Sequence, residues 1–196
     1  MDILKLITEA RTCRRYDQSR ELPPGTLPWL VECARLSPSG ANVQGLRFAI
    51  IGSPAKRAEF FPHLLWAAYL KDWPGPVEGE RPTGYVVILA PAGEDGKIGH
   101  INYINIGIVA QSMQLAAWSK GLGACMFGGY NAKAVTAMLP MPEKYGLGLV
   151  MSFGYAKEVR KIVPVGPNGD IKYYREADGV HCLPKRELKD LLIAEL

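Results

Sequence analysis

IGIVAQSMQLAAWSKGLGACMFGGY, running from Ile106 to Tyr130, is the stretch that decides how this chain folds. Ile106, Val109, Ala110, Met113, Leu115 and Ala117 leave its first half apolar nearly all round, and a helix of that kind is buried. The most apolar portion, Ile104 to Trp118, is shorter than a bilayer span and carries Gln111, Ser112 and Gln114. It reads as a buried helix of a soluble protein. The pattern predicts a helix from about Asn102 to Ser119, stopped at Lys120-Gly121. GLGACM, which follows, lacks the third glycine of a dinucleotide fingerprint and leads into a strand rather than a helix.

Working outward, Tyr85 to Ala90 is a continuous apolar, β-branched run, the sign of an interior strand. Arg47 to Ile51 and Leu147 to Phe153 read as further strands, and a short helix follows Asn131. Upstream, Asp2 can cap a first helix with Ile3, Leu6, Ile7 and Ala10 on one face. A second helix takes Thr26 as its cap and Pro28 in its first turn, with Leu27, Leu30, Val31 and Ala34 as its stripe. It stops at SPSG, and a third helix runs from Ser53-Pro54 through Phe60 toward Tyr69. At the end, IKYYREADGVHCL predicts two strands around an Asp-Gly turn, then a final helix from Lys185 to Leu196. Strands and helices mix without strict alternation, so the expected class is α+β in one domain.

Composition narrows the function. Twenty-three basic residues against 19 acidic give a net charge of +4, too small and too scattered for a nucleic-acid footprint. Cys13, Cys33, Cys125 and Cys182 form no CxxC pair and no zinc spacing, and suit a reducing cytoplasm better than a disulfide framework. The N-terminal MDILKLITEARTCRR mixes acid and base and does not read as a signal peptide. His63, His100 and His181 make no ligand pattern, so no metal is expected. G-x-S-x-G and P-loop motifs are absent.

Four segments, in order, resemble the nitroreductase family. ARTCRRY, Ala10 to Tyr16, is similar to its arginine-rich signature, and LSPSGANVQG, Leu36 to Gly45, to its A-P-S-x-x-N-x-Q-P-W. The opening stretch matches its long central helix with G-L-G and a Gly-Gly turn, and LGLVMSFGYAKE its strand ending in G-Y-P. The chain departs at Ala10, where many members carry arginine, at Thr12 for serine, at Gly45-Leu46 for Pro-Trp, and at Ala156 for proline.

The resemblance implies a nitroreductase-like fold over 1–196, with a central, mostly antiparallel sheet flanked by helices in an intertwined homodimer that binds FMN. By the same resemblance Arg11, Thr12 and Arg14 grip the phosphate and ribityl chain, since guanidinium forks suit a dianion. Lys157, Arg160 and Lys161 are candidates for a further phosphate contact. Pro38, Ser39, Gly40, Asn42 and Gln44 contact the FMN held by the partner subunit, and Gly128 and Gly129 let bare amides reach the ring edge. Taken alone, the arginines read sooner as a solvated basic turn, the SPSGAN segment as a helix stop and the glycines as a flexible turn. Trp66, Tyr69 and Trp73 could overhang the ring or pack beneath a loop.

The implied activity is ping-pong transfer of two electrons from NADH or NADPH, through flavin N5, to a small electron-poor acceptor such as a nitroaromatic or quinone. No catalytic side chain is expected, because the cofactor performs the redox step. A flavin dehydrogenase or dehalogenase acting on another substrate, or a non-enzymatic FMN-holding module, stays open. Neither a membrane nor a nucleic acid is an expected partner.

Overall fold

The computed structural model describes residues 2–196. Its main sheet has four strands: β1 (Arg47–Ile51), β2 (Gly84–Pro91), β3 (Leu122–Phe127) and β4 (Tyr145–Tyr155). Their order is β1-β2-β4-β3, and every neighbouring pair is antiparallel. Alternation along β2 divides the core between the two faces. Val86, Ile88 and Ala90 pack against α2 (Thr26–Arg35) and α4 (His100–Ser119), where Leu30, Ala110 and Met113 are buried. Tyr85, Val87 and Leu89 face Phe60, Phe127 and Val135, the last on α5 (Ala132–Ala137). Both faces of β2 are covered, which is why its sequence is apolar without a break. The mixed α+β class and the antiparallel sheet are those expected.

The chain itself dresses the free edge of β3. Thr12 bridges Ala124 in parallel sense, and the Cys13 amide donates to the Ala124 carbonyl at 2.8 Å. Tyr16 is fully buried beneath this edge, its hydroxyl bonded to the Cys13 carbonyl at 2.6 Å and to Ser152 Oγ at 2.7 Å. A second, smaller sheet is formed by β5 (Arg160–Pro164), β6 (Tyr174–Arg175) and β7 (His181–Lys185), in the order β5-β7-β6.

Four local expectations need correction. α1 (Ile3–Glu9) is capped by Asp2 as expected, but Ile3 and Ile7 on its apolar face stand exposed while Ala10 is buried beyond its end. The cap of α2 is Gly25, at φ 84°, and Thr26 lies inside the helix; glycine takes the left-handed turn after Pro23-Pro24 without strain. α3 (Pro54–Phe60) does not continue toward Tyr69. Pro62 has no N–H to give the helix, so a single 3-10 turn follows and Leu64 pairs with Tyr130 instead. The expected helix Lys185–Leu196 is absent: β7 ends at Lys185, and only Leu188–Asp190 makes a 3-10 turn. Leu188, Leu191 and Leu192 are exposed, and a short helix with no packed face is marginal in water.

Candidate functional site

Residues 11 to 16 run extended beside β3, which sends neighbouring side chains to different sides. The Arg11 guanidinium turns back to the Ile7 carbonyl at the end of α1. Arg14 turns toward the small sheet, donating to His181 Nε2 at 3.2 Å with its guanidinium 4.7 Å from the Tyr173 ring centre. Its amide donates to the Glu158 carboxylate, which also accepts from Arg175 at 3.2 Å. Arg160 donates to the Arg11 carbonyl at 2.7 Å, so the β5 strand clasps the same segment.

Cations crowd this corner. Burial first, then Arg14, Arg175 and Arg160, push the His181 imidazole down to about 4, so it is neutral near pH 7. Burial and the nearby Arg160 lower the Arg11 guanidinium as well. Glu158 is the buried carboxylate facing them, and Arg175 and Arg14 already use it. Among the described residues, Arg11 Nε, Arg175 Nε and His181 Nδ1 are buried donors without an acceptor. Such an excess of donors is chemistry for an anion. Burial raises the Cys13 and Cys125 thiols to about 12, which leaves neither as a thiolate nucleophile near neutral pH.

The SPSGAN segment forms a strained turn. Ala41, Asn42 and Gln44 have φ of 48°, 52° and 48°, a conformation that costs a non-glycine residue about 1–2 kcal/mol. α4 holds the turn in place: Asn105 Oδ1 accepts the Gly40 amide at 2.9 Å, and Ser37 bonds Ser112 at 2.8 Å. A Cβ at Gly40 would stand 2.5 Å from the end of the Ile101 side chain, which would have to shift to make room for it. Asn42 and Gln44 point outward and are exposed. Beside the turn lies a cleft of about 370 Å³ between α2, the start of β1 and α4.

At the end of β3, Gly129 accepts the Leu65 amide at 3.0 Å and would press a Cβ to 3.3 Å from Leu65. Gly128 has open space at its Cβ position and no positive φ, so nothing in the chain itself requires glycine there. Trp66 packs edge-on against Phe127, with ring centres 4.7 Å apart, and belongs to the core rather than to a cover. Tyr69 is exposed and its ring lies 5.0 Å from that of Tyr173, while Trp73 stacks under Arg175 at 4.2 Å.

The structure thus brings Arg14 to His181 and, through Glu158, to Arg175, and the Arg11 backbone to Arg160, at the β3 edge where Thr12 bridges Ala124, while the Arg11 guanidinium turns back to α1. The turn with Pro38, Ser39, Gly40, Asn42 and Gln44 leads into β1 at the opposite edge, roughly 15 Å away at ordinary strand spacing. One chain does not bring the two groups together. Of the three basic tail candidates, Arg160 reaches the Arg11 segment; Lys157 pairs with Glu80 at 3.1 Å, and Lys161 is exposed. Sequence reasoning missed Glu158, Tyr173, Arg175 and His181, whose partners lie far away along the chain and leave no local signal. It also missed Asn105, where a polar residue in an apolar helix was the available clue. Among the described residues no group of potential metal ligands occurs, and no helix is long and apolar enough to cross a membrane.

Comparison with known proteins agrees with this fold. The family model described as "Nitroreductase family" matches residues 7–155. The Bacillus subtilis (strain 168) protein YodC, provisionally named an NAD(P)H nitroreductase, is 22% identical over 182 residues, covering 80% of this chain and 89% of its own. An FMN-dependent nitroreductase from Clostridium difficile R20291 superposes with a TM-score of 0.62 at 21% identity, over 81% of this chain and 90% of that one. A Desulfovibrio desulfuricans protein, provisionally described as a nitroreductase and solved in complex with FMN, gives a TM-score of 0.68 at 19% identity. That superposition covers 100% of this chain and 98% of the other, so the alignment takes in the C-terminal small sheet as well.

Proposed function

This chain belongs to the nitroreductase family, and from that premise we propose that it is an FMN-dependent oxidoreductase working as a homodimer. It takes two electrons from NADH or NADPH and passes them to an electron-poor acceptor such as a nitroaromatic or quinone. The observation that carries this reading is the excess of buried donors over acceptors at the β3 edge. A phosphate monoester is close to dianionic at neutral pH and accepts several charge-assisted hydrogen bonds at once.

Arg11 and Arg14 bind the phosphate and Thr12 the ribityl chain, with Arg160 joining from the tail. Glu158 holds Arg175 and the Arg14 backbone in place, and neutral His181 accepts from Arg14 without competing for the anion. Gly128, open at its side, and Gly129 face the ring edge with bare backbone. When bound, FMN supplies reversible two-electron chemistry that no side chain here can supply. The protein's part is to hold the ring, leave one face open to planar substrates and keep water from the other.

The separation of the two groups supports dimerisation. The turn carrying Pro38, Ser39, Gly40, Asn42 and Gln44 serves the site of the partner subunit. Ile101, Tyr103 and Ile104 on the outer face of α4 are 48%, 56% and 46% exposed, an apolar surface suited to a second copy. The four free cysteines suit a reducing, cytoplasmic setting.

The test is an absorbance spectrum of the purified protein, before and after anaerobic addition of NADH and then NADPH. Flavin bands that bleach with either reductant are expected. A colourless protein that takes up no added FMN overturns the proposal.

A further inference from the structure

A second cleft, of about 360 Å³, opens on the α2 and α4 face of the sheet, where β3 begins and β4 ends. Its volume is within the range of small-molecule sites. It shares no residue with the arginine-rich segment, the Ser39–Gln44 turn or the Gly128-Gly129 turn. Pro23 and Pro24 form one wall, and Trp29, Leu122 and Tyr155 form the others. Trp29 and Tyr155 are half-buried, so part of each ring stays open. Aromatic and proline surface of this kind suits a flat ring.

Charge narrows the chemistry. Lys120, at the end of α4, is the one charged side chain lining the cleft. Its ammonium stands 5.0 Å from the centre of the Trp29 ring and, among the described residues, has no carboxylate partner. Arg20 lies 3.6 Å from the centre of the Tyr155 ring, likewise without one. The carboxylates of the adjoining segments are engaged elsewhere. Asp17 accepts from the Ser19 amide and hydroxyl, Glu21 from Arg57 at 2.6 Å, and Glu32 holds Arg35 through both oxygens. A cationic ligand therefore meets only like charge. A neutral ring would take water from Lys120 and return no counter-charge, which is unfavourable. A monoanion matches the single lysine. An exposed cation–π contact is weaker than a charge-assisted hydrogen bond, so Lys120 exchanges its place over Trp29 for a carboxylate. The Thr26 and Tyr155 hydroxyls can donate to the same group.

We infer that this cleft is a second binding site, for a planar aromatic carboxylate whose ring lies against Trp29 and Tyr155 and whose anionic group pairs with Lys120. It goes beyond the flavin reaction and does not depend on it.

The probe is 2-naphthoate, titrated into the purified full chain by calorimetry at pH 7.5. A parallel titration uses 2-naphthylmethylamine, the same ring carrying a cation. Naphthoate should bind at one site per chain, about tenfold or more tighter than the amine. Lys120 is exposed, so its variants keep the fold. Lys120→Glu should reverse the preference toward the amine, and Lys120→Arg should retain naphthoate. Trp29→Leu should weaken naphthoate about fivefold or more. Wild-type protein that shows no saturable binding, or prefers the amine, overturns the site. Naphthoate affinity that ignores both Lys120→Glu and Trp29→Leu places the ring elsewhere and overturns it too; a shift of the flavin bands in those samples would locate the ring at the flavin. The same titration applies to flavin-free protein, so its failure is separate from a failure of the flavin reading.

Discussion

Arg14 donates to His181 Nε2 across 3.2 Å and 167 positions of sequence. A guanidinium cannot accept, so the imidazole proton sits on Nδ1, where none of the described residues accepts it. The contact ties the C-terminal small sheet to the arginine-rich segment.

Stability should therefore depend on pH through His181. Burial and the surrounding arginines hold it at about 4, against about 6.5 in an unfolded chain. Between these values the unfolded chain binds a proton that the folded one does not. Stability falls as pH drops through this window and levels off below it, with a slope approaching ~1.4 kcal/mol per pH unit. His181→Gln keeps an acceptor for Arg14 but does not titrate. Its unfolding midpoints between pH 4 and 7 should vary less than those of the wild type; an equally steep curve would assign the effect to other groups.

Replacing Arg11 and Arg14 together with alanine should weaken FMN and spare riboflavin, which lacks the phosphate. Each charge-assisted bond is worth about 1.5–3 kcal/mol, so FMN affinity should fall on the order of 100-fold or more. Quenching of flavin fluorescence measures both ligands. Equal losses for FMN and riboflavin would remove the phosphate role from these arginines.

Ile104→Asp puts a charge on the exposed apolar face of α4. If that face joins two copies, sedimentation at micromolar concentration should shift from dimer to monomer, and flavin retention should fall with it. A variant that remains dimeric would place the interface elsewhere.

Tyr16→Phe removes a buried hydroxyl that bridges the Cys13 carbonyl and Ser152. Leaving those groups without their partner should cost about 1–3 kcal/mol, read as a lower denaturant midpoint with an unchanged slope. An unchanged midpoint would mean that the neighbours satisfy each other without the phenol.

Much of the fold was legible because its signals are local. β1 was read at its observed bounds, Arg47–Ile51, and the central helix at its observed end, Ser119. β2 announced itself by an apolar run that only a strand covered on both faces needs. Two of the errors, at the face of α1 and at the expected C-terminal helix, share one cause, namely that periodicity does not report whether a partner surface exists. Leu188, Leu191 and Leu192 carry a helical spacing, yet they stand exposed.

For the site, the sequence by itself determined the family through four short motifs, and with them the residue types that suit a phosphate and a planar ring. Tertiary structure alone decided which of those residues meet. The extended path of residues 11 to 16 parts Arg11 from Arg14, and the sheet order β1-β2-β4-β3 sets the Ser39–Gln44 turn at the far edge. The tail brings His181 and Arg175 to Arg14, while α4 presents Asn105 to Gly40. The physical reason is range: helix stops, apolar runs and turns are set by residues a few positions apart. Buried polar groups must instead find partners wherever packing delivers them.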